Sequence, residues 1–117
     1  MLENEEEKVL DQDQWKVEAQ AIINDVRRHV QDIKISEKLC STNNSIYLNL
    51  TTLEGLKFCV EVSGNGFSIT GNQHDSVINT DNKTFETPYS LLDSISPKYR
   101  ESFGNDLMKK LNNLNDN

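Results

Sequence analysis

The chain has 117 residues, 35% of them hydrophobic and 26% charged, with a formal net charge of −7 and a pI near 4.7. That length suits one domain burying about two-thirds of its unfolded surface, and the acidic balance argues against nucleic acid or an anionic membrane as partner, since both are bound through surplus Lys and Arg. Apolar runs stop far short of the roughly 20 residues a membrane span requires, and Met1 opens onto glutamates instead of a basic leader, so a cytoplasmic protein, also able to enter the nucleus, is expected.

Residues 1–12 carry Glu3, Glu5, Glu6, Glu7 and Asp11 with little to bury, and read as a disordered acidic tail. From Gln14 the pattern changes. Trp15, Ala19, Ile22, Ile23, Val26, Val30 and Ile33 recur at helical spacing, which predicts a first helix running to Ile33, with Asp13 as its cap and Lys16, Glu18, Asn24, Arg27, Arg28 and Gln31 opposite. Its apolar face is expected to lie across a sheet.

Residues 37–45 read as a loop. Ile46, Leu48 and Leu50 then alternate with Tyr47, Asn49 and Thr51, and Phe58, Val60 and Val62 with Lys57, Cys59 and Glu61, which predicts two strands joined at Leu53-Glu54-Gly55. A turn at Ser63-Gly64-Asn65-Gly66 leads into a third strand through Phe67 and Ile69, and a fourth is placed at residues 76–80. The result is an antiparallel meander of three or four strands, one face for the helices and one for water.

Little in this region carries chemistry. Gly64-Asn65-Gly66 lacks the third glycine or the Gly-Lys-[Ser/Thr] of a phosphate loop, so it reads as a turn. Cys40 and Cys59 have no metal or redox spacing and are read as reduced thiols. His29 and His74 have no ligand or nucleophile beside them in sequence. No cofactor, metal or catalytic residue is assigned.

The C-terminal stretch is better punctuated. Tyr89, Leu91, Leu92 and Ile95 follow Pro88 as a short helix that stops before Pro97. Ser96-Pro97 is a helix start, with a hydroxyl for an orphan amide and a first position that needs no N–H. Tyr99, Phe103, Leu107, Leu111 and Leu114 then share one face, widened by Met108. That face covers roughly 24 Å of helix at about 1.5 Å per residue. A small sheet rarely covers so much, so the end at Leu111 and Leu114 is the surplus expected to meet a partner. The architecture predicted is α+β: N-terminal helix, antiparallel meander, and a C-terminal helical segment packed on one face.

Here the residues carry a resemblance. YSLLDSISPKYRESFGNDLMKKL, residues 89–111, closely resembles the C-terminal signature of the glycogen synthase kinase-3β interaction protein family, and EAQAIINDV, residues 18–26, resembles its first helix. The likeness spans residues 13–114, leaving 115–117 as a frayed end. The same domain occurs in clustered mitochondria proteins, where it serves as a general interaction module, but this length is that of the standalone form.

The resemblance implies a non-catalytic, monomeric protein whose helix 97–114 docks in a hydrophobic groove on glycogen synthase kinase-3, the one used by the axin-type helix. Docking there restrains phosphorylation of scaffold-delivered substrates such as β-catenin in Wnt-type signalling. The kinase-binding residues it implies are Tyr99, Phe103, Leu107, Lys110, Leu111 and Leu114, with Leu111 matching the principal leucine. In some members the first helix also anchors the regulatory subunit of cyclic-AMP-dependent protein kinase, which here would fall to Ile22, Ile23, Val26 and Val30. Arg27 and Arg28 depart from the apolar residues that anchoring requires, and the role is not carried over. Asp106 also departs, standing where the family often has a small residue.

Overall fold

The computed structural model describes residues 12–78 and 83–115, with side chains as far as Leu111. Helix α1 (Gln12–Val26) is followed by a single 3-10 turn (Arg27–His29) and strand β1 (Asp32–Ile35). Strands β2 (Ser45–Thr51), β3 (Lys57–Ser63), β4 (Gly66–Gly71) and β5 (Thr84–Phe85) complete an antiparallel sheet in the order β1-β2-β3-β4-β5, and helices α2 (Pro88–Ile95) and α3 (Pro97–Asn115) close the chain. The expected acidic tail falls on residues 1–11, outside those described, apart from Gln12, which already belongs to α1.

The two strands read from the alternation are β2 and β3, and their apolar residues pair on one face of the sheet. Ile46 faces Val62 and Leu48 faces Val60 across β2 and β3, while Ile33 and Ile35 of β1 face Leu50 and Leu48. Trp15, Ala19, Ile22, Ile23 and Val26 of α1 and Leu91 and Leu92 of α2 cover this side as one continuous core. At about 25 cal/mol per Å² of apolar surface, that shared core dominates the stability of the domain.

The first helix is shorter than its periodicity suggests. It ends at Val26, so Val30 and Ile33 are not helical: Val30 is extended (φ −138°, ψ 163°) and Ile33 sits in β1. Length explains the stop. A helix of 15 residues covers about 22 Å, and the seven-residue strands beneath it cover about 23 Å. Further helix would overrun the sheet. Gln31 N–H instead donates to Thr51 O and Ser36 N–H to Tyr47 O, each at 2.9 Å, which seats β1 on the edge of β2.

The expected fourth strand is displaced too. Residues 76–78 form no strand, residues 79–82 lie outside those described, and β5 pairs with β4 through Phe67–Phe85 and Ser68–Thr84. Gly66 permits that pairing, because at φ +129° a Cβ would stand 2.3 Å from Phe85 O.

Nor is the second face of the sheet left wholly to water. The segment after β4 folds back over it: Asn49 donates from Nδ2 to Asp75 Oδ1 at 2.8 Å and accepts at Oδ1 from Asp75 N–H at 2.9 Å, while Ser36 Oγ donates to the same carboxylate. His74 Nε2 lies 3.1 Å from Leu50 O and 3.2 Å from Thr51 Oγ1. Asn49, Thr51 and Thr70 are therefore buried polar residues with partners. Cys59 is buried beneath them and Cys40 is exposed, both as free thiols.

Candidate functional site

The most exposed apolar residues of the C-terminal region lie on α3, and its geometry starts from how its first turn is held. Thr87 caps α2 by accepting Ser90 N–H at 3.0 Å, with Pro88 at the first helical position. At the next boundary, Ser96 Oγ accepts Tyr99 N–H at 3.0 Å and donates to Glu54 Oε1 at 2.8 Å, while Glu54 Oε2 accepts Lys98 N–H at 2.8 Å. A carboxylate from the β2–β3 turn thus satisfies an orphan amide and faces the positive end of the helix dipole. Burial acts to raise the Glu54 carboxyl, but the Lys98 amide and Ser96 hydroxyl outweigh it and hold it at about 2, below the ordinary 4.5.

Beyond this cap the helix face changes character. Tyr99 is only 3% exposed and belongs to the core, whereas Phe103 is 42% exposed, Leu107 50%, Met108 57% and Leu111 47%. Phe103, Leu107 and Leu111 follow one another turn by turn over about 12 Å. Tyr89 of α2 flanks their start, its ring 6.2 Å from that of Phe103, and Phe103 in turn stacks on Tyr99 at 5.7 Å. Lys110 is exposed beside the face. Leu114 lies in α3, but its side chain is outside those described.

The surplus apolar surface therefore begins at Phe103, earlier than the expected end at Leu111. Of α2, Tyr89 still reaches Phe103, and beyond that ring the row is left to solvent among the described residues.

On the other flank of α3, the 3-10 turn meets the helix through His29. Its ring is buried, Nδ1 lies 2.8 Å from Ser102 Oγ, and Nε2 lies 3.6 Å from Asp106 Oδ2. Arg28 Nη2 reaches the same carboxylate oxygen at 3.1 Å. Tyr99 and Phe103 meet the imidazole edge-on, with centroids at 5.8 and 5.6 Å. The two ring nitrogens are thus presented to two different groups of α3, Nδ1 to the Ser102 hydroxyl and Nε2 to the Asp106 carboxylate.

Serine, histidine and aspartate in this order resemble a nucleophilic triad, but the rest of that apparatus is not built around them. Ser102 sits inside α3, where backbone amides bond within the helix, so its own turn offers no pair of free N–H groups to an oxyanion. A shallow cavity of about 540 Å³ opens elsewhere, between Trp15, Glu18 and Ile22 of α1 and the β3–β4 turn, and contains neither histidine. Among the described residues no cluster of His, Cys, Asp and Glu could hold a metal ion, and no helix is long and apolar enough to cross a membrane.

The residues implied for anchoring a second kinase are placed differently. Ile22, Ile23, Val26 and Val30 all face the core of the domain, and Val30 is past the end of α1. Arg27 and Arg28 are exposed on the 3-10 turn. What the sequence reading missed was the grouping of Arg28, His29, Ser102 and Asp106. The unusual charge at Asp106 was the available signal, with its partner more than seventy residues away in the chain.

Residues 15–114 match the family model described as the GSKIP domain. The chain is 41% identical over 103 residues to the GSK3-beta interaction protein of Danio rerio, covering 87% of this chain and 77% of the relative. It is 36% identical over 105 residues to the GSK3B-interacting protein of Homo sapiens, covering 89% and 76%. Over 90 residues it is 29% identical to a protein named GSKIP homolog in Drosophila melanogaster, covering 74% and 76%. With the matched region running from Trp15 of α1 to Leu114 of α3, the chain belongs to the GSKIP-domain family and is a non-catalytic interaction protein.

Proposed function

We propose that this protein binds glycogen synthase kinase-3 by laying the exposed face of α3 into a hydrophobic groove on the kinase. The observation that carries this reading is the row Phe103, Leu107, Met108 and Leu111, each two-fifths or more exposed although all are large and apolar. Such a row on a single helix has the i, i+4, i+8 form of a helix-in-groove ligand, and relatives across most of the chain carry names that state interaction with this kinase.

In this reading Leu111 is the central anchor, Phe103 and Leu107 extend the contact toward the domain, and Leu114 extends it away. Lys110 and Arg100 set register through rim charges of small energetic weight. Tyr99 contributes by holding the helix to the core. Occupying the groove restrains phosphorylation of scaffold-delivered substrates such as β-catenin, which makes the protein a kinase inhibitor of restricted scope.

The test is calorimetric titration of purified glycogen synthase kinase-3 with the full chain and with Leu111→Ala, each checked by circular dichroism. Binding by the parent chain and its loss in the folded variant support the mechanism. No binding by the parent chain overturns it.

A further inference from the structure

We propose that His29 is a positioning residue for the docking helix: its clasp on Ser102 and Asp106, reinforced by Arg28, sets the direction in which the exposed part of α3 leaves the domain. The consequence for binding rests on the proposed kinase-docking function; the clasp itself is a property of the free protein.

The argument is one of levers. Glu54 pins α3 at its first turn through Ser96 and Lys98. A rod pinned near one end can still swing, and Leu111, the last described residue of the exposed face, lies about 22 Å along the axis from Ser96. Beyond Tyr99 the polar contacts that bind α3 to an element outside the C-terminal helices are those of Ser102 and Asp106, among the described residues. These positions lie about 9 and 15 Å from Ser96. Fixing the helix there limits displacement at Leu111 to roughly 1.5 to 2.5 times the play left at the clasp.

The chemistry suits a clasp better than a passive contact. Ser102 and Asp106 are one turn apart on the same side of α3, and the imidazole presents one nitrogen to each. Tyr99 and Phe103, stacked on each other, pack against the imidazole from one side. The ring is almost wholly buried, so a swing of α3 would leave its nitrogens without these partners in a poorly hydrated place, which costs more than the bonds alone are worth. Arg28 adds an ion pair to Asp106 from the solvent side, its own side chain 68% exposed. The unusual charge at Asp106 is thus directed toward the domain, away from the row of Phe103, Leu107 and Leu111. A helix held in its binding orientation loses less freedom on docking.

The test compares the full chain with the double variant Ser102→Ala/Asp106→Ala by residual dipolar couplings of the backbone amides. Alanine favours helix more than serine or aspartate, so the variant keeps α3 helical while removing both partners of His29. A second variant, His29→Phe, keeps the aromatic contacts and removes the polar ones from the other side. The clasp predicts that couplings of residues 103–111 shrink by at least about twofold relative to those of β2 and β3 in both variants, while their helical chemical shifts persist, and that affinity for glycogen synthase kinase-3 falls about fivefold. Couplings that still fit the alignment of the sheet overturn the proposal, as does loss of helical shifts, which would make these residues helix formers and not positioners. If the parent chain fails to bind the kinase, the docking function falls, and the clasp is still decided by the couplings.

Discussion

Glu54, on the turn between β2 and β3, accepts the amide of Lys98 at 2.8 Å across 44 residues of chain. The α3 cap is therefore tertiary, shared between the helix's own Ser96 and a residue of the sheet. Replacing Ser96 with alanine removes the local half and should cost about 1 kcal/mol of stability, read by urea denaturation.

The same contact carries a pH dependence. The Glu54 carboxyl stands at about 2 in the fold against an ordinary 4.5. A folded value below the unfolded one means the stabilisation is fully present above about 4.5 and is lost as pH falls toward about 2. Glu54→Gln should be less stable than the parent chain at neutral pH, and the gap should narrow between those two values. Denaturation midpoints across that range check both statements.

One face of α3 divides between a buried start and an exposed remainder. Tyr99→Ala removes a ring that is 3% exposed and should cost about 3 kcal/mol of folding stability. Leu111→Ala truncates a side chain 47% exposed and should change folding stability by less than about 0.5 kcal/mol. Its effect should appear in kinase affinity instead, at about 2 kcal/mol or roughly thirtyfold. Thermal melts and calorimetric titration on the same preparations separate the two.

Gly66→Ala tests the sheet edge. The substitution meets both a left-handed backbone and Phe85 O at 2.3 Å from the new Cβ, so it should cost more than about 1 kcal/mol. Amide exchange should quicken first at Phe67, Ser68, Thr84 and Phe85, the residues whose pairing the methyl group would disturb.

Asn49→Ala tests the polar cover on the second face of the sheet. The side chains of Asn49 and Ser36 are what hold the Asp75 carboxyl below its ordinary value. Removing Asn49 should move Asp75 upward toward that value, as followed by carbon-detected NMR titration of its side chain.

Much of this was legible because the signals were local. Ser96-Pro97 marked the start of α3 through capping chemistry alone, and the alternation of Ile46 to Thr51 and Lys57 to Val62 marked two strands and which of their residues share a face. The first helix was overextended because Val30 and Ile33 fit a helical repeat while Ile33 and Ile35 also fit a strand, and only the sheet beneath decides between them. Residues 76–78 carry strand-like side chains, but Ser76 O and Ile78 N–H both bond to Thr70 across a bend, an arrangement no local pattern encodes. The apolar face of α3 was visible from spacing. Its starting point at Phe103 was not, because exposure there depends on how far the sheet and α2 reach.

The strand order has a kinetic meaning. Each strand lies beside its neighbour in sequence, so the sheet can zip up through successive short loop closures, and the entropy lost at each is small. A meander of this kind belongs on the faster side of sheet-containing domains. The far end of α3 adds little to that nucleus. The chain can thus be committed to its native topology before the last turns of α3 are ordered, and substitutions at Leu107 or Leu111 should leave the refolding rate almost untouched.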